Sequence, residues 1–302
     1  MDIFSKRRQF LSELLEENSV AILFGSEEII RNGDVNYPFR QNSNFSYLTN
    51  FPESESIAVL DEKNFIIFCK EKNKLKEQWD GEILGPENTE KYGATRGISI
   101  SECRDILPEL VKDFANIYCF ESSIKKLKKL LPNTESTIKP LDFEVSKMRA
   151  IKSEEELKII KEACRISSLA HIRAMKSVKP GMYEYQLEAE YLHEFMSHGA
   201  RACAYPSIVG GGKNSCVLHY NDNKDVLNDG DLVLVDAGCE LNHYASDITR
   251  TFPVNGKFSK EQREIYEIVL EASKKSIETV ISGSNPLKAV SYTHLRAHET
   301  LN

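Results

Sequence analysis

No stretch of this chain approaches the roughly 20 consecutive apolar residues that a membrane helix requires. The amino terminus, MDIFSKRRQFLSELLEEN, is charged throughout and lacks the apolar centre of a secretion signal. An excess of basic residues is missing too. Lys and Arg number 39 against 46 Asp and Glu, and the net charge of −7 removes the electrostatic footprint that nucleic acid or an anionic membrane would demand. The 7 cysteines are odd in number and include no CxxC pair, which argues against a disulfide framework or a structural zinc site and for a reducing cytoplasm. GGGK at 210–213 lacks the spacing of a phosphate-binding loop and reads as a tight turn between strands. There is no internal repeat.

What is present fits a globular protein. A chain of 302 residues with 41% hydrophobic and 28% charged residues suggests two domains. Residues 5–17 have the spacing of an amphipathic helix, with Phe10, Leu11, Leu14 and Leu15 on one side. SVAILFG (19–25) reads as a buried strand, SIAVLDEKNFIIFCK (56–70) as a hairpin turning at DEKN, and IYCF (117–120) as another strand. SSIKKLKKLL (122–131) reads as a helix opened by a serine cap. Strands alternating with helices imply an α/β domain, and the turn-rich PNTESTIKP (132–140) places its boundary, giving domains 1–140 and 141–288.

In the second domain, Ser153 with Glu156 forms a capping box, and Lys179-Pro180-Gly181 is a stop signal, so one long helix lies between them. A second helix runs from about Tyr183 to His198 and ends at Gly199. Gly-rich turns and strands follow, and a last helix opens at Ser259. The tail, VSYTHLRAHET (290–300), fits neither the preceding helical pattern nor a strand. Read back into codons it matches a transposase-type sequencing adapter, so residues 289–302 are expected to be a non-native tail and the natural protein to continue differently.

The most β-like segment is GDLVLVDAGCELNHYASDITRTF (230–252), which places one acid, Asp236, at the end of an apolar strand and another, Asp247, eleven residues on. Alternation puts Asp236 on the face of Leu232 and Leu234, expected to be the buried one, and Asp247 on the face of Ala245 and Thr249. A short connection makes the two segments an antiparallel pair. Two carboxylates brought together in a sheet repel unless one protonates or a cation lies between them. A divalent metal, Mn²⁺, Mg²⁺ or Zn²⁺, would resolve that cost. The alternative is that Asp236 ends its strand in a turn and Asp247 caps a backbone amide.

The wider context bears on this choice. HYNDN followed by GDLVLVDAGCELNHYASDITRTFPVNGKFSKEQREIYEIVLEA (219–272) closely resembles the metal-binding region of the Xaa-Pro aminopeptidases, members of the pita-bread metallopeptidases. YPFRQNSNFSYLTNF (37–51) resembles the signature of that family's amino-terminal domain. MRAIKSEEELKIIKEA (148–163) and KPGMYEYQLEAEYLHEFMSHGAR (179–201) resemble the two helices that begin its catalytic domain. The resemblance reaches to about residue 288.

It implies an α/β amino-terminal domain followed by an α+β pita-bread catalytic domain that is incomplete at its carboxyl end. Matched residue by residue, Asp236 would chelate one metal and Asp247 would bridge two, manganese being the expected ion. His219 in VLHYNDN would be the active-site histidine beside the substrate; a satisfied strand histidine is the other reading. Trp79 would lie near the substrate entrance, of a neighbouring subunit, and Arg149 close to the site; a surface packing residue and a domain-junction salt bridge are the alternatives. The family's remaining ligands, one His and two Glu, fall beyond the last helix and are not found here, so this chain is expected to be inactive. The glutamates at 261, 264, 267, 271 and 278 have helical spacing and read as a solvated face.

The resemblance implies metal-dependent hydrolysis of the first peptide bond in peptides with proline second, by a homo-oligomeric enzyme; the charge and cysteine usage add the expectation of a cytoplasmic protein that engages neither nucleic acid nor membrane. Prolidase, which takes only dipeptides, and a non-catalytic pita-bread binding module are the rival readings.

Overall fold

The computed structural model describes residues 2–280, and these divide into two compact units at Lys152/Ser153. The expected tail, residues 289–302, lies outside the described residues.

The first unit runs α1 (Ile3–Leu14), β1 (Ser19–Phe24), a small hairpin of β2 (Ile30–Asn32) and β3 (Val35–Asn36), α2 (Ser43–Thr49), β4 (Ile57–Leu60), β5 (Phe65–Cys69) and α3 (Lys74–Asp80). It continues with β6 (Arg96–Ser99), α4 (Cys103–Val111), β7 (Asn116–Cys119), α5 (Ile124–Leu130), β8 (Thr137–Pro140) and α6 (Asp142–Ala150). Six strands form one mixed sheet in the order β6-β5-β4-β1-β7-β8. β4 and β5 make the expected hairpin, and β1 pairs antiparallel with β4 but parallel with β7.

β1 reads as an unbroken apolar run because both its faces are covered. Val20, Ile22 and Phe24 belong to one core with Leu107 and Val111 of α4 and Leu127 of α5. Ala21 and Leu23 belong to the other, with Leu11, Phe45, Leu48, Leu141, Val145 and Met148. Three details differ from the sequence reading. On α1 it is Arg7 that joins Leu11 in burial, its guanidinium 3.9 Å from the Tyr47 ring, while Phe10 stays exposed. Ser123 makes no capping bond; a 3₁₀ turn at Glu121–Ser123 leads into α5 instead. The domain boundary lies twelve residues beyond 140, because α6 buries Leu141, Val145 and Met148 in the first unit's core.

The second unit opens with α7 (Glu154–Ser177) and α8 (Glu184–Ser197). Its strands are β9 (Ala202–Cys203), β10 (Ile208–Gly211), β11 (Leu232–Ala237), β12 (Cys239–Leu241), β13 (Tyr244–Ala245) and β14 (Ile248–Pro253), followed by α9 (Lys260–Thr279). The Ser153–Glu156 capping box is formed, and Gly199 takes the left-handed conformation (φ 82°) that ends α8. Ala163, Ile166, Ala170 and Ala174 form the buried stripe of α7. Their small side chains let Leu187, Tyr191 and Phe195 of α8 pack close, and Val233, Val235 and Ala237 of β11 close the same core. GGGK is partly strand: Gly210 and Gly211 end β10, and a 3₁₀ turn begins at Gly212.

Leu187 is fully buried between the helices and the sheet. Leu187→Ala is expected to destabilise the second unit by about 2–5 kcal/mol, read from its urea unfolding midpoint. A change within about 0.5 kcal/mol would show that this core is not packed as described.

Candidate metal centre

β10, β11 and β14 form a three-stranded antiparallel sheet, whereas β13, β12 and β9 form a second one. The chain therefore leaves the first sheet after Ala237, makes the short β12–β13 pair and returns at Ile248, which is in register with Ala237. The crossing is tight. A Cβ on Gly238 would lie 1.8 Å from the Ser246 carbonyl oxygen, so only glycine permits this approach. That approach brings Asp247 beside Asp236.

The environments of the two acids differ from the sequence reading. The buried face of β11 is Val233, Val235 and Ala237, which α7 and α8 cover; Asp236 stands with Leu232 and Leu234 on the other, half-buried face. Asp247 is not within a strand. It sits exposed at the junction of β13 and β14, where the chain changes sheets.

The two carboxylates nevertheless converge. The Tyr205 hydroxyl lies 2.5 Å from Oδ1 of Asp236 and 3.1 Å from Oδ1 of Asp247. Its single proton is shared between two acceptors. Burial, with the two carboxylates it faces, pushes the Tyr205 phenol far above its ordinary value, so it stays a donor. Neither acid is ion-paired with Lys, Arg or His among the described residues. Adjacent carboxylates with no protein cation suit a hard divalent ion, and every donor atom here is oxygen. The residues present thus fit a metal. They do not complete its cage: no group of three or more His, Cys, Asp or Glu suited to a metal occurs among the described residues.

Tyr205 was not found from the sequence. It stands in ACAYPS (202–207), an irregular stretch without periodicity or motif, and only the register of β10 against β11, which sets Ile208 opposite Asp236, gives it meaning.

Behind the acids lies a buried polar chain. His171 on α7 is 3% exposed; its Nε2 is 2.9 Å from the Ile248 carbonyl and its Nδ1 is 2.9 Å from the Tyr191 hydroxyl. A carbonyl only accepts, so Nε2 carries the proton and Nδ1 accepts from tyrosine. This fixes the first residue of β14, immediately after Asp247.

The other residues singled out make no hydrogen bond or ion pair with these two acids among the described residues. His219 is exposed in a turn rather than on a strand, and has no hydrogen-bond or ion-pair partner among the described residues. Arg149 and Trp79 belong to the first unit. Arg149 is half-buried, donates to the Asn44 side-chain oxygen and lies over the Tyr47 ring at 5.6 Å; it makes no salt bridge among the described residues. Trp79 on α3 is 88% exposed.

Comparison with known proteins identifies relatives of both units. Residues 158–299 match metallopeptidase family M24, and residues 4–118 match the aminopeptidase P amino-terminal domain. The chain is 42% identical to the Xaa-Pro aminopeptidase of Haemophilus influenzae over 93% of its own length and 67% of the relative's. It is 41% identical to that of Escherichia coli, over 94% and 69%. Among solved structures, aminopeptidase PepP of Pseudomonas aeruginosa superposes with a TM-score of 0.96 at 38% identity, covering 99% of this chain and 72% of that one. A zinc-substituted E. coli aminopeptidase P holding product gives 0.92 at 38% identity, over 96% and 71%. The chain thus spans about two thirds of the length of these relatives.

Burial depresses the His171 pKa below its ordinary 6.5. The unfolded chain therefore binds the proton more readily. The group's contribution to stability is complete above pH 6.5 and is lost as pH falls through the lower folded value. His171→Gln is expected to remove that part of the acid destabilisation, measured by urea unfolding at stepped pH; an unchanged slope would contradict the neutral assignment.

Proposed function

The chain belongs to the Xaa-Pro aminopeptidases of metallopeptidase family M24, and from that membership we propose that Asp236 and Asp247 hold the divalent metal ions with which the protein removes the first residue of peptides whose second residue is proline. The observation that carries the site assignment is the meeting of both carboxylates at the Tyr205 hydroxyl without a protein cation.

When bound, such ions polarise the scissile carbonyl and lower the pKa of water. The remaining roles belong to this chain. By the family likeness, Asp247 would be the acid shared between two ions and Asp236 would hold one. Tyr205 stays protonated and orients one oxygen of each carboxylate, leaving the other oxygens for metal. His219, exposed on its turn, is available to hydrogen-bond the substrate beside the metals. Proline in the second position offers no N–H and a fixed φ, so a shaped pocket can select it.

Manganese is our assignment among divalent ions from the family likeness; the oxygen donors present fit it as they fit magnesium. The zinc-substituted neighbour supports a centre that accepts more than one ion. All seven cysteines are free thiols, which favours the reducing cytoplasm as the compartment. A homo-oligomer follows from the family likeness, and Trp79, at 88% exposure, is the residue we place at a neighbouring subunit. Arg149, bonded to Asn44, is the weaker candidate for substrate contact.

Three expectations test this reading. In the full-length protein, Asp236→Asn and Asp247→Asn should each lower kcat/KM on an Xaa-Pro tripeptide by at least about a hundredfold with little change in fold, as judged by circular dichroism. Full activity in either variant would remove that aspartate from the centre. The wild-type protein should cleave Xaa-Pro tripeptides as well as dipeptides, whereas a strict dipeptidase would leave the tripeptide intact. The 302-residue chain, with two ligands brought together, should show no manganese-dependent hydrolysis, and robust turnover would contradict the ligand assignment.

A further inference from the structure

The turn that carries His219 is anchored by a carboxylate outside the metal centre. Glu184, in the first turn of α8, is 0% exposed and has no basic partner among the described residues. Its oxygens accept four hydrogen bonds instead. Oε1 receives the Gly211 amide at 2.8 Å and the Asn214 side-chain amide at 3.0 Å. Oε2 receives the Tyr220 hydroxyl at 2.7 Å and the Asp225 amide at 3.0 Å.

All four donors lie between residues 211 and 225, two before His219 and two after it. One buried carboxylate thus ties the outgoing and returning limbs of this loop together. Asn214 adds cross-links, donating also to the Tyr220 hydroxyl at 3.1 Å and to Asp225 Oδ2 at 2.9 Å. One helical turn further along α8, Glu188 accepts from the buried Asn223, whose side chain also bonds the backbone of Ser207 and Val209. The loop base is therefore fastened to α8 at two points, while His219 at its tip has no partner of its own.

A carboxylate is tolerated at this depth because its acceptor sites are filled. A hydrogen-bond count explains why an acid stands here. Four donors converge, and only a carboxylate offers acceptors on both arms. Glutamine has the same shape but would turn an NH₂ group toward an N–H on whichever arm it occupies.

We propose that Glu184 is a positioning residue for His219: it holds Tyr220, the next residue along the chain, and so fixes where the imidazole stands. This rests on the reading of His219 as the substrate-side histidine. The test is a double-mutant cycle in the full-length protein with an Xaa-Pro peptide. Glu184→Gln should lower kcat/KM about tenfold, whereas in a His219→Asn background it should change kcat/KM by less than about twofold. Tyr220→Phe, which removes one hydroxyl and spares the fold, should cost about threefold in wild type and nothing measurable without His219. Hydrogen exchange should show the Gly211 and Asp225 amides losing protection in Glu184→Gln while the amides of α8 keep theirs.

A cost from Glu184→Gln or Tyr220→Phe that is the same with and without His219 would make Glu184 merely structural and overturn the proposal. So would unchanged kcat/KM in both variants when His219→Asn is impaired, an outcome that leaves the role of His219 intact. Full activity in His219→Asn would defeat the reading of that histidine itself, and with it any action through it.

Discussion

Two carboxylates share one hydroxyl proton, and the second unit is built so that they can. Side by side with no ion-pair partner among the described residues, Asp236 and Asp247 repel. The Tyr205 proton offsets part of that cost, but one hydrogen cannot satisfy two anions with several lone pairs each. A divalent cation would do what the protein's own groups leave undone. The pairing itself depends on backbone: Gly238 allows the crossing strand to pass within contact of it, and the His171–Ile248 bond fixes the returning strand one residue beyond Asp247.

The same logic recurs one step removed. Glu184 is another acid with no basic partner among the described residues, this one fully buried, and there the deficit is met entirely by neutral donors from one loop. The contrast separates two uses of a carboxylate in this domain. Where donors fill every acceptor site, the acid is an anchor; where they do not, it is open to a ligand.

Much of the architecture was legible because its signals are local. The Ser153–Glu156 capping box, the serine that opens α9, the Gly199 terminator and the apolar runs of β4 and β5 either side of DEKN each state a boundary within a few residues. The strands β6 and β8 were not foreseen; they lie at the two edges of the sheet and carry weak apolar patterns. The domain boundary was placed too early because a turn-rich segment need not end a core, and α6 beyond it still packs inward. At the site, the two aspartates were identified through family likeness, but which face of β11 is buried depends on where α7 and α8 lie. Periodicity reports alternation without saying which side is covered. Tyr205 illustrates the other limit: its role exists only through tertiary register, and nothing in ACAYPS announces it.

The most direct measurement is anomalous diffraction at the manganese edge from crystals of the full-length protein grown with Mn²⁺. The account expects anomalous peaks within bonding distance of the carboxylates of both Asp236 and Asp247, with Asp247 touching two. Carboxylates turned apart, with no peak between them and manganese bound elsewhere, would contradict it.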